Sequence, residues 1–534
     1  MNFLLVLPTI VAVIVAFGVV EYYSQRATDV ESYYVSNRGT STLLLTGTYV
    51  ASWVSITGMV GMASSAFRMG IAWNQWTWGF WGVVFFTFLV GLPLRKLCTR
   101  AGDLAPLTRE GVEANSLLTP SDFFQLRFPS KWVRGISAVM LLVGLTFYAV
   151  GQLIGVSLAL TAIGFNYGLG LLLLMSIVIY TTIRGGTPGI IVNDTINMFV
   201  FIFAVIILFP FAIKSVGGID HMVTVSSQLK PGMWSNMGHK NTLIAIISFN
   251  LVWNFMTAGS PHLVQRAYTA KDERTFLKAQ VIGVAIVIMW CWVLYTATQT
   301  GLVFFPTLEG TAVDNILPMV ATHVLPTLLA GLIIASIFAV GFSTVNTQIS
   351  NLAFSWVRDV YQTLINPQAS EEKMMRNTKW AVAVCALITA FFAWIRPGFI
   401  YEITAWGIAF YGAAFVPMFV FGLFWKRATT QGIITGISLS SIVFIALGLL
   451  KLTGIYTLPG GMHAFFVSMP VSVFTIVVVS LLTKQSEHER TVAENISAVL
   501  SEKSTRPVRA SDFAVPIGVI AACLIFGGVW ATIF

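Results

Sequence analysis

The feature that most constrains this chain is the recurrence of apolar stretches of about 20 residues, from FLLVLPTIVAVIVAFGVV near one end to FAVPIGVIAACLIFGGVWATIF at the other. A helix of that length spans the hydrocarbon of a bilayer, and such stretches fill most of the 534 residues. Lipid offers backbone groups no water to pair with, so only helices or closed barrels persist there. The stretches lack the period-two alternation of barrel strands, which leaves helices. With 56% hydrophobic and only 10% charged residues, the chain cannot clothe a soluble surface. An all-α polytopic membrane protein follows. The first stretch has neither a basic leader nor an A-x-A-like cleavage site, so it reads as a retained helix rather than a signal peptide.

Hydropathy puts helices near 2–22, 40–66, 71–95, 132–163, 166–183, 189–214, 241–268, 275–305, 326–362, 375–396, 399–425, 429–452, 463–484 and 512–533, fourteen in all. Several exceed one span, which implies tilting or breaks. The resulting loops divide the basic residues unevenly. One side receives 25 of the 31, among them Arg26, Arg38, Arg127, Arg134, Arg266 and Arg358; the other receives Arg68, Lys214, Lys230, Lys240, Arg396 and Lys451. The richer side is cytoplasmic by the positive-inside rule, so both termini face outward and the 485–511 tail lies inside. The net charge of +9 thus orients the chain and requires no nucleic-acid partner. The longest loops, 96–131 and 485–511, fall far short of the ~100 residues of an ordinary soluble domain. Cys98, Cys291, Cys385 and Cys523 lack metal-ligand spacing and read as packing residues. No nucleophile–base arrangement suggests an enzyme.

Two helices are rich in breakers and polar groups. TYVASWVSITGMVGMASSAF carries Ser52, Ser55, Thr57, Gly58 and Gly61 at mid-depth. FNLVWNFMTAGSPHLVQR, five helices later and oppositely directed, carries Asn250, Asn254, Thr257, Gly259, Ser260 and Pro261. Interrupted helices at matching places in two halves point to the binding site of a secondary transporter; close packing through small residues is the structural alternative. A third stretch, FAVGFSTVNTQISN, sets Ser343, Thr344, Asn346, Thr347, Gln348, Ser350 and Asn351 within an otherwise apolar helix. Ser343, Thr344 and Thr347 share one face. Clustered neutral oxygens suit a small hard cation if broken helices add carbonyls. Such a site needs no carboxylate, and the sequence sets none beside it. Hydroxyl bonding back to the same helix is the alternative.

Asp194, with Asn193 and Asn197 nearby, is an acid inside an apolar run near a cytoplasmic end. It must be neutral, paired, cation-bound or solvated. Glu402 reads as an interfacial acid. His262 and Arg266 lie toward the inner end of the seventh helix, where Arg266 reads as a snorkelling anchor.

Taken in order, ESYYVSNRG, ASWVS, GGTPGIIVNDTIN, GSPHLVQR, FSTVNTQ with WVRDVYQ, and FWKRATTQG resemble the sodium:solute symporters from about residue 1 to 484. That resemblance implies a LeuT-type five-plus-five inverted repeat. It gives an accessory helix and loop at 1–39, repeats at 40–214 and 241–425, and accessory C-terminal helices at 426–534. It also implies a sodium site made by the carbonyls of Ala51, Val54 and Val340 and the hydroxyls of Ser343 and Thr344. A second sodium or proton position would use Asp194, Ser343, Asn346 and Thr347. Asn346 stands where two-sodium members usually have serine, which leaves a second ion in doubt. The solute would lie among Trp53, Ser55, Tyr148, Gln152, Trp253, Thr257 and Pro261. VNDTIN with STVNTQ is nearest the pantothenate and monocarboxylate branch, ahead of proline-like amino acids and of sugars or sialic acids. The expected function is sodium-coupled import of a small organic solute across the inner membrane by alternating access, with Na+ as the coupling ion. A membrane solute sensor is the remote alternative.

Overall fold

The computed structural model describes residues 2–70, 79–100, 104, 117–235, 238–240, 242–396, 398–502 and 509–514. Among these the chain is helical throughout. In chain order we label α1 Phe3–Ser24, α2 Thr42–Trp53 and α3 Thr57–Met69. A run of helical turns over 79–97 is α4, followed by α5 Pro120–Arg127 and α6 Lys131–Thr161. The stretch Tyr167–Ser215 has 49 residues, too long for one ~30 Å crossing, and Gly186 divides it with φ 52° and ψ −162°. Only glycine adopts that backbone without strain. The two parts are α7 (167–185) and α8 (187–215). Next come α9 Leu243–Ala258, α10 Pro261–Thr269, α11 Glu273–Phe304 and α12 Thr327–Ile365. The series ends with α13 Glu371–Ile395, α14 Ile400–Phe424, α15 Thr430–Leu452, α16 Phe465–Leu482 and α17 Glu487–Ser501.

Among the described residues nine helices are long and apolar enough to cross a membrane, or eleven if each bent pair counts as one span. The expected total of fourteen is therefore not reached by this measure, and the expected helix at 512–533 falls almost wholly outside the described residues. The expected helix at 71–95 is described from Gly79 onward.

Lipid tails are as apolar as leucine, so helix association rests on close packing rather than on hydrophobicity. Glycine supplies that closeness. A Cβ on Gly407 would lie 2.5 Å from the carbonyl oxygen of Gly144, and one on Gly144 would lie 2.6 Å from that of Gly407, so α6 and α14 touch backbone to backbone. Gly331 of α12 similarly meets the backbone of Leu5, which fixes α1 into the bundle. The innermost helices are α12, α14 and α6, while α13, α15 and α16 expose broad apolar flanks. Arg68, Lys230 and Arg396, three of the six basic residues assigned to the poorer side, cluster with Phe67, Phe399 and Thr311 at one end of the bundle.

Both expected breaks are present. The α2–α3 pair bends by 50° and the α9–α10 pair by 42°. The N–H of Thr40, ahead of α2, donates to the Thr269 carbonyl at the end of α10 (3.1 Å), and the N–H of Lys271 donates back to Thr40 (3.2 Å). The start of one broken helix thus meets the end of the other, so the two run in opposite directions.

Candidate functional site

At the first break, Val54 leaves the helical region with ψ 75°. The N–H of Ser55 donates to the Trp53 carbonyl (2.9 Å), and that of Ile56 donates to Gln152 Oε1 (2.7 Å). In an unbroken helix these donors would serve Ala51 and Ser52. Likewise the N–H of Gly58, which would serve Val54, donates instead to Ser55 Oγ (3.4 Å). The carbonyls of Ala51 and Val54 thereby lose their helical donors, and both residues are buried. Gln152 of α6 also donates through Nε2 to Thr57 Oγ1 (3.0 Å), so a single side chain stitches the two sides of the break.

The polar face of α12 lies against this break. A Cβ on Gly341 would meet Val156 and Ile56 within 3 Å, and Thr48, one turn before Ser52, shares a partner with Ser343. That partner is Asp194. Thr48 Oγ1 donates to its Oδ2 at 2.5 Å and Ser343 Oγ to its Oδ1 at 2.5 Å. With its O–H committed to that bond, the Ser343 oxygen keeps its lone pairs free to face a cation. Thr344 Oγ1 donates to the Val340 carbonyl (3.0 Å), which leaves the hydroxyl's own lone pairs free in the same way. Ser350 and Asn351 bond back to carbonyls of their own helix, as the structural alternative holds for such residues.

Two expectations need correction. A carboxylate does stand beside the hydroxyl cluster, brought there by α8 from 149 positions away. Arg266 is no snorkelling anchor. It is 2% exposed, and its Nη2 donates to Asp194 Oδ2 (3.2 Å) and to Thr347 Oγ1 (2.6 Å). An unpaired charge at that depth would be prohibitive, and the two residues compensate each other. Asn346 turns its Oδ1 to the hydroxyls of Thr181 (3.1 Å) and Thr182 (2.9 Å) on α7.

The expected solute liners divide. Tyr148 stands one turn before Gln152 on α6 and packs its ring 5.8 Å from His262, which follows Pro261 at the start of α10. Trp253 donates from Nε1 to Tyr401 Oη (2.8 Å) on α14, and Thr257 Oγ1 donates to the Trp253 carbonyl (2.6 Å). Trp53 points elsewhere, into an apolar pocket shared with Tyr49, Val287 and Cys291.

Sequence reasoning missed Thr48, His262 and Asp314 as site residues. Thr48 had a signal: it sits one turn below Ser52 on the same face of α2. Asp314 ties α3 to α14, accepting from Ser64 Oγ of α3 (2.8 Å) and from the Ile400 N–H at the start of α14 (3.3 Å). Burial raises its carboxyl above the ordinary range, against the pull of Ser64, that backbone N–H and two arginines. Its position in the loop TAVDNIL carries no periodic signal. Among the described residues no group of histidine, cysteine and carboxylate side chains has the arrangement of a metal centre.

A broken helix with donor-less carbonyls facing a hydroxyl-bearing helix is a transporter's architecture, and the comparisons agree. The family model described as "Sodium:solute symporter family" matches residues 33–440. The chain belongs to the sodium:solute symporter family. It is 27% identical to the sodium/pantothenate symporter of Haemophilus influenzae over 84% of this chain and 90% of that one. It is 23% identical to the Escherichia coli sodium/pantothenate symporter, covering 89% and 95% of the two chains. With the osmoregulated proline transporter OpuE of Bacillus subtilis the identity is 25%, covering 87% and 92%. A solved Na+-coupled sialic acid symporter in a substrate-bound outward-open state superposes with TM-score 0.72 at 18% identity, over 91% of this chain and 99% of that one. That likeness establishes the LeuT-type fold. As a member of the family the chain is a multi-pass membrane protein that moves a small organic solute with sodium as the coupling ion, a transporter class rather than an enzyme class.

Proposed function

We propose that Na+ binds at the carbonyls of Ala51, Val54 and Val340 and the hydroxyls of Ser343 and Thr344, and that the solute lies beside it against Ser55, Tyr148, Gln152, Trp253, Thr257 and Pro261. The observation that carries this reading is the loss of helical donors at Ala51 and Val54 directly alongside the Ser343–Thr344 turn. Neutral oxygens from carbonyls and hydroxyls match a monovalent hard cation. An ion bound there ties α2 to α12, steadies the break and raises solute affinity; by linkage the solute raises sodium affinity equally. The loaded site then opens to the other side.

The favoured solute is a short monocarboxylate or a pantothenate-like acid. Two of the relatives are named for pantothenate, and α10, whose N-terminal dipole favours an anion, begins at Pro261 with His262 packed against Tyr148. The second reading is a proline-like amino acid, supported by the proline transporter relative. The chain divides into repeats 40–214 and 241–425 with accessory helices before and after, and sits in the inner membrane with both termini outside. Trp53 leaves the list of direct solute contacts in this reading.

The test is uptake into proteoliposomes of labelled pantothenate, short monocarboxylates, proline and sialic acid, under an inward sodium gradient or with choline in its place. Sodium-dependent uptake of an acid supports the favoured solute; sodium-dependent proline uptake selects the second reading. Equal uptake in choline overturns the proposed ion site.

A further inference from the structure

We infer that Arg266 is a tethered cation: its guanidinium fills the charge position beside Asp194, so this chain binds one sodium ion per transport cycle and not two. The inference rests on the sodium site proposed above and specifies its stoichiometry.

Of the four residues that offer themselves for a second ion, Ser343 belongs to the first site and donates to Asp194, and the other three are already engaged. Asp194 is wholly buried and spends Oδ2 on Thr48 and Arg266 and Oδ1 on Ser343. Thr347 accepts from the same Nη2 of Arg266 at 2.6 Å. Asn346 has its oxygen committed to Thr181 and Thr182. Among the described residues the only formal positive charge placed on Asp194 is Arg266, itself 2% exposed. A sodium ion at this carboxylate would face a guanidinium at contact distance in a low-dielectric interior, where like charges repel strongly. The pair is therefore neutral as it stands. The single positive charge that moves with the solute is the ion on the carbonyls and hydroxyls one turn away.

The source of the arginine strengthens the assignment. Arg266 belongs to α10, the second half of a broken helix, while Asp194 belongs to α8 and Thr347 to α12. The guanidinium thus joins three helices at the place where a mobile ion would otherwise have to do so.

The decisive measurement is the number of radiolabelled Na+ ions bound at saturation by the purified full-length protein, at mildly alkaline pH so that a vacated carboxylate stays ionised. Wild type is expected to bind one. Arg266→Ala exposes Asp194 with the hydroxyls of Thr48, Ser343 and Thr347 around it, and the count is expected to rise to two. Arg266→Lys keeps a tethered cation and returns the count to one, as does the double variant Arg266→Ala with Asp194→Asn. Should Arg266→Ala not fold, Asp194→Asn with Arg266 intact decides: one ion retained supports the tethered cation, and an ion lost overturns it. Two ions in wild type, or one in a folded Arg266→Ala, overturn the inference while leaving the sodium site standing. No sodium binding by folded wild type overturns the site itself.

Discussion

Two buried acid–base assemblies in this chain follow opposite rules. Where α5, α6 and α12 meet, Asp122, Arg134, Arg358 and Asp359 form a saturated network. Arg134 Nη2 reaches Asp122 Oδ1 at 2.6 Å and Asp359 Oδ1 at 2.9 Å, and Arg358 Nε reaches Asp122 Oδ2 at 2.9 Å. The N–H groups of Leu118 (2.8 Å) and Thr119 (2.9 Å) complete Asp122, while the hydroxyls of Thr119 (2.8 Å) and Ser355 (2.7 Å) complete Asp359. At the centre, by contrast, one acid meets one base across a single 3.2 Å contact, and hydroxyls with spare lone pairs supply the rest. The first assembly joins two acids and two bases from three helices by direct charge-assisted bonds, so it clamps. The second sits against a helix break, and its Ser343 and Thr344 hydroxyls, as donors, keep lone pairs in reserve. Charge burial alone does not distinguish structure from function; the surplus of acceptor capacity does.

Breaking the clamp should give the largest effect. Arg134→Ala takes the guanidinium from buried Asp359 and one of the two from Asp122, and is expected to lower stability by roughly 3–5 kcal/mol, read as thermal unfolding in detergent. If the protein is barely destabilised, the network is not the clamp described. At the centre the loss should fall on binding. Thr344→Ala is expected to weaken sodium activation of uptake by roughly 10–100-fold, the effect of about 1.4–2.7 kcal/mol, with little change in unfolding temperature. A variant that unfolds early with unaltered sodium affinity would reverse the two roles.

Acid separates the assemblies further. Burial raises the Asp122 carboxyl, but Arg358, Arg134 and the N–H groups of Thr119 and Leu118 outweigh it and hold the group below the carboxylate range. A depressed folded-state pKa contributes stability above the unfolded value of about 3.9 and loses it as pH falls through the folded value. Wild type should therefore lose stability progressively below about pH 4, and Asp122→Asn, weaker at neutral pH, should show a flatter acid limb. Equal acid limbs would remove Asp122 from the clamp. The smallest effect belongs to Arg490→Ala on the exposed face of α17, whose 3.6 Å pair with Glu494 is open to water. The expected change is below about 0.5 kcal/mol.

The spans were legible because lipid imposes both a length and a composition, and the breaks were legible because TGMVG and AGSP interrupt apolar helix with residues that lipid does not otherwise favour. Ser343, Thr344 and Thr347 stood out for the same reason. Arg266 did not. It lies 72 positions from Asp194, and helical periodicity reports which face of a helix is polar without saying which neighbour that face meets. The clamp was hidden differently: Arg134, Arg358 and Asp359 lie at the ends of spans, where basic residues are expected on orientation grounds and their burial leaves no mark in the sequence.

Gly47 of α2 lies so near Thr195 that a Cβ would sit 2.6 Å from its Cα, and Gly61 of α3 would bring one 3.2 Å from the backbone nitrogen of Tyr401. The lower half of the broken helix is thus bolted to α8 and the upper half to α14. The donor-less carbonyls fall between the bolts, so in the proposed site neither side would hold the whole coordination shell. An ion seated there would work as a caliper. It would close at one spacing of the two sides, and tight binding and that one arrangement of the bundle would be a single event.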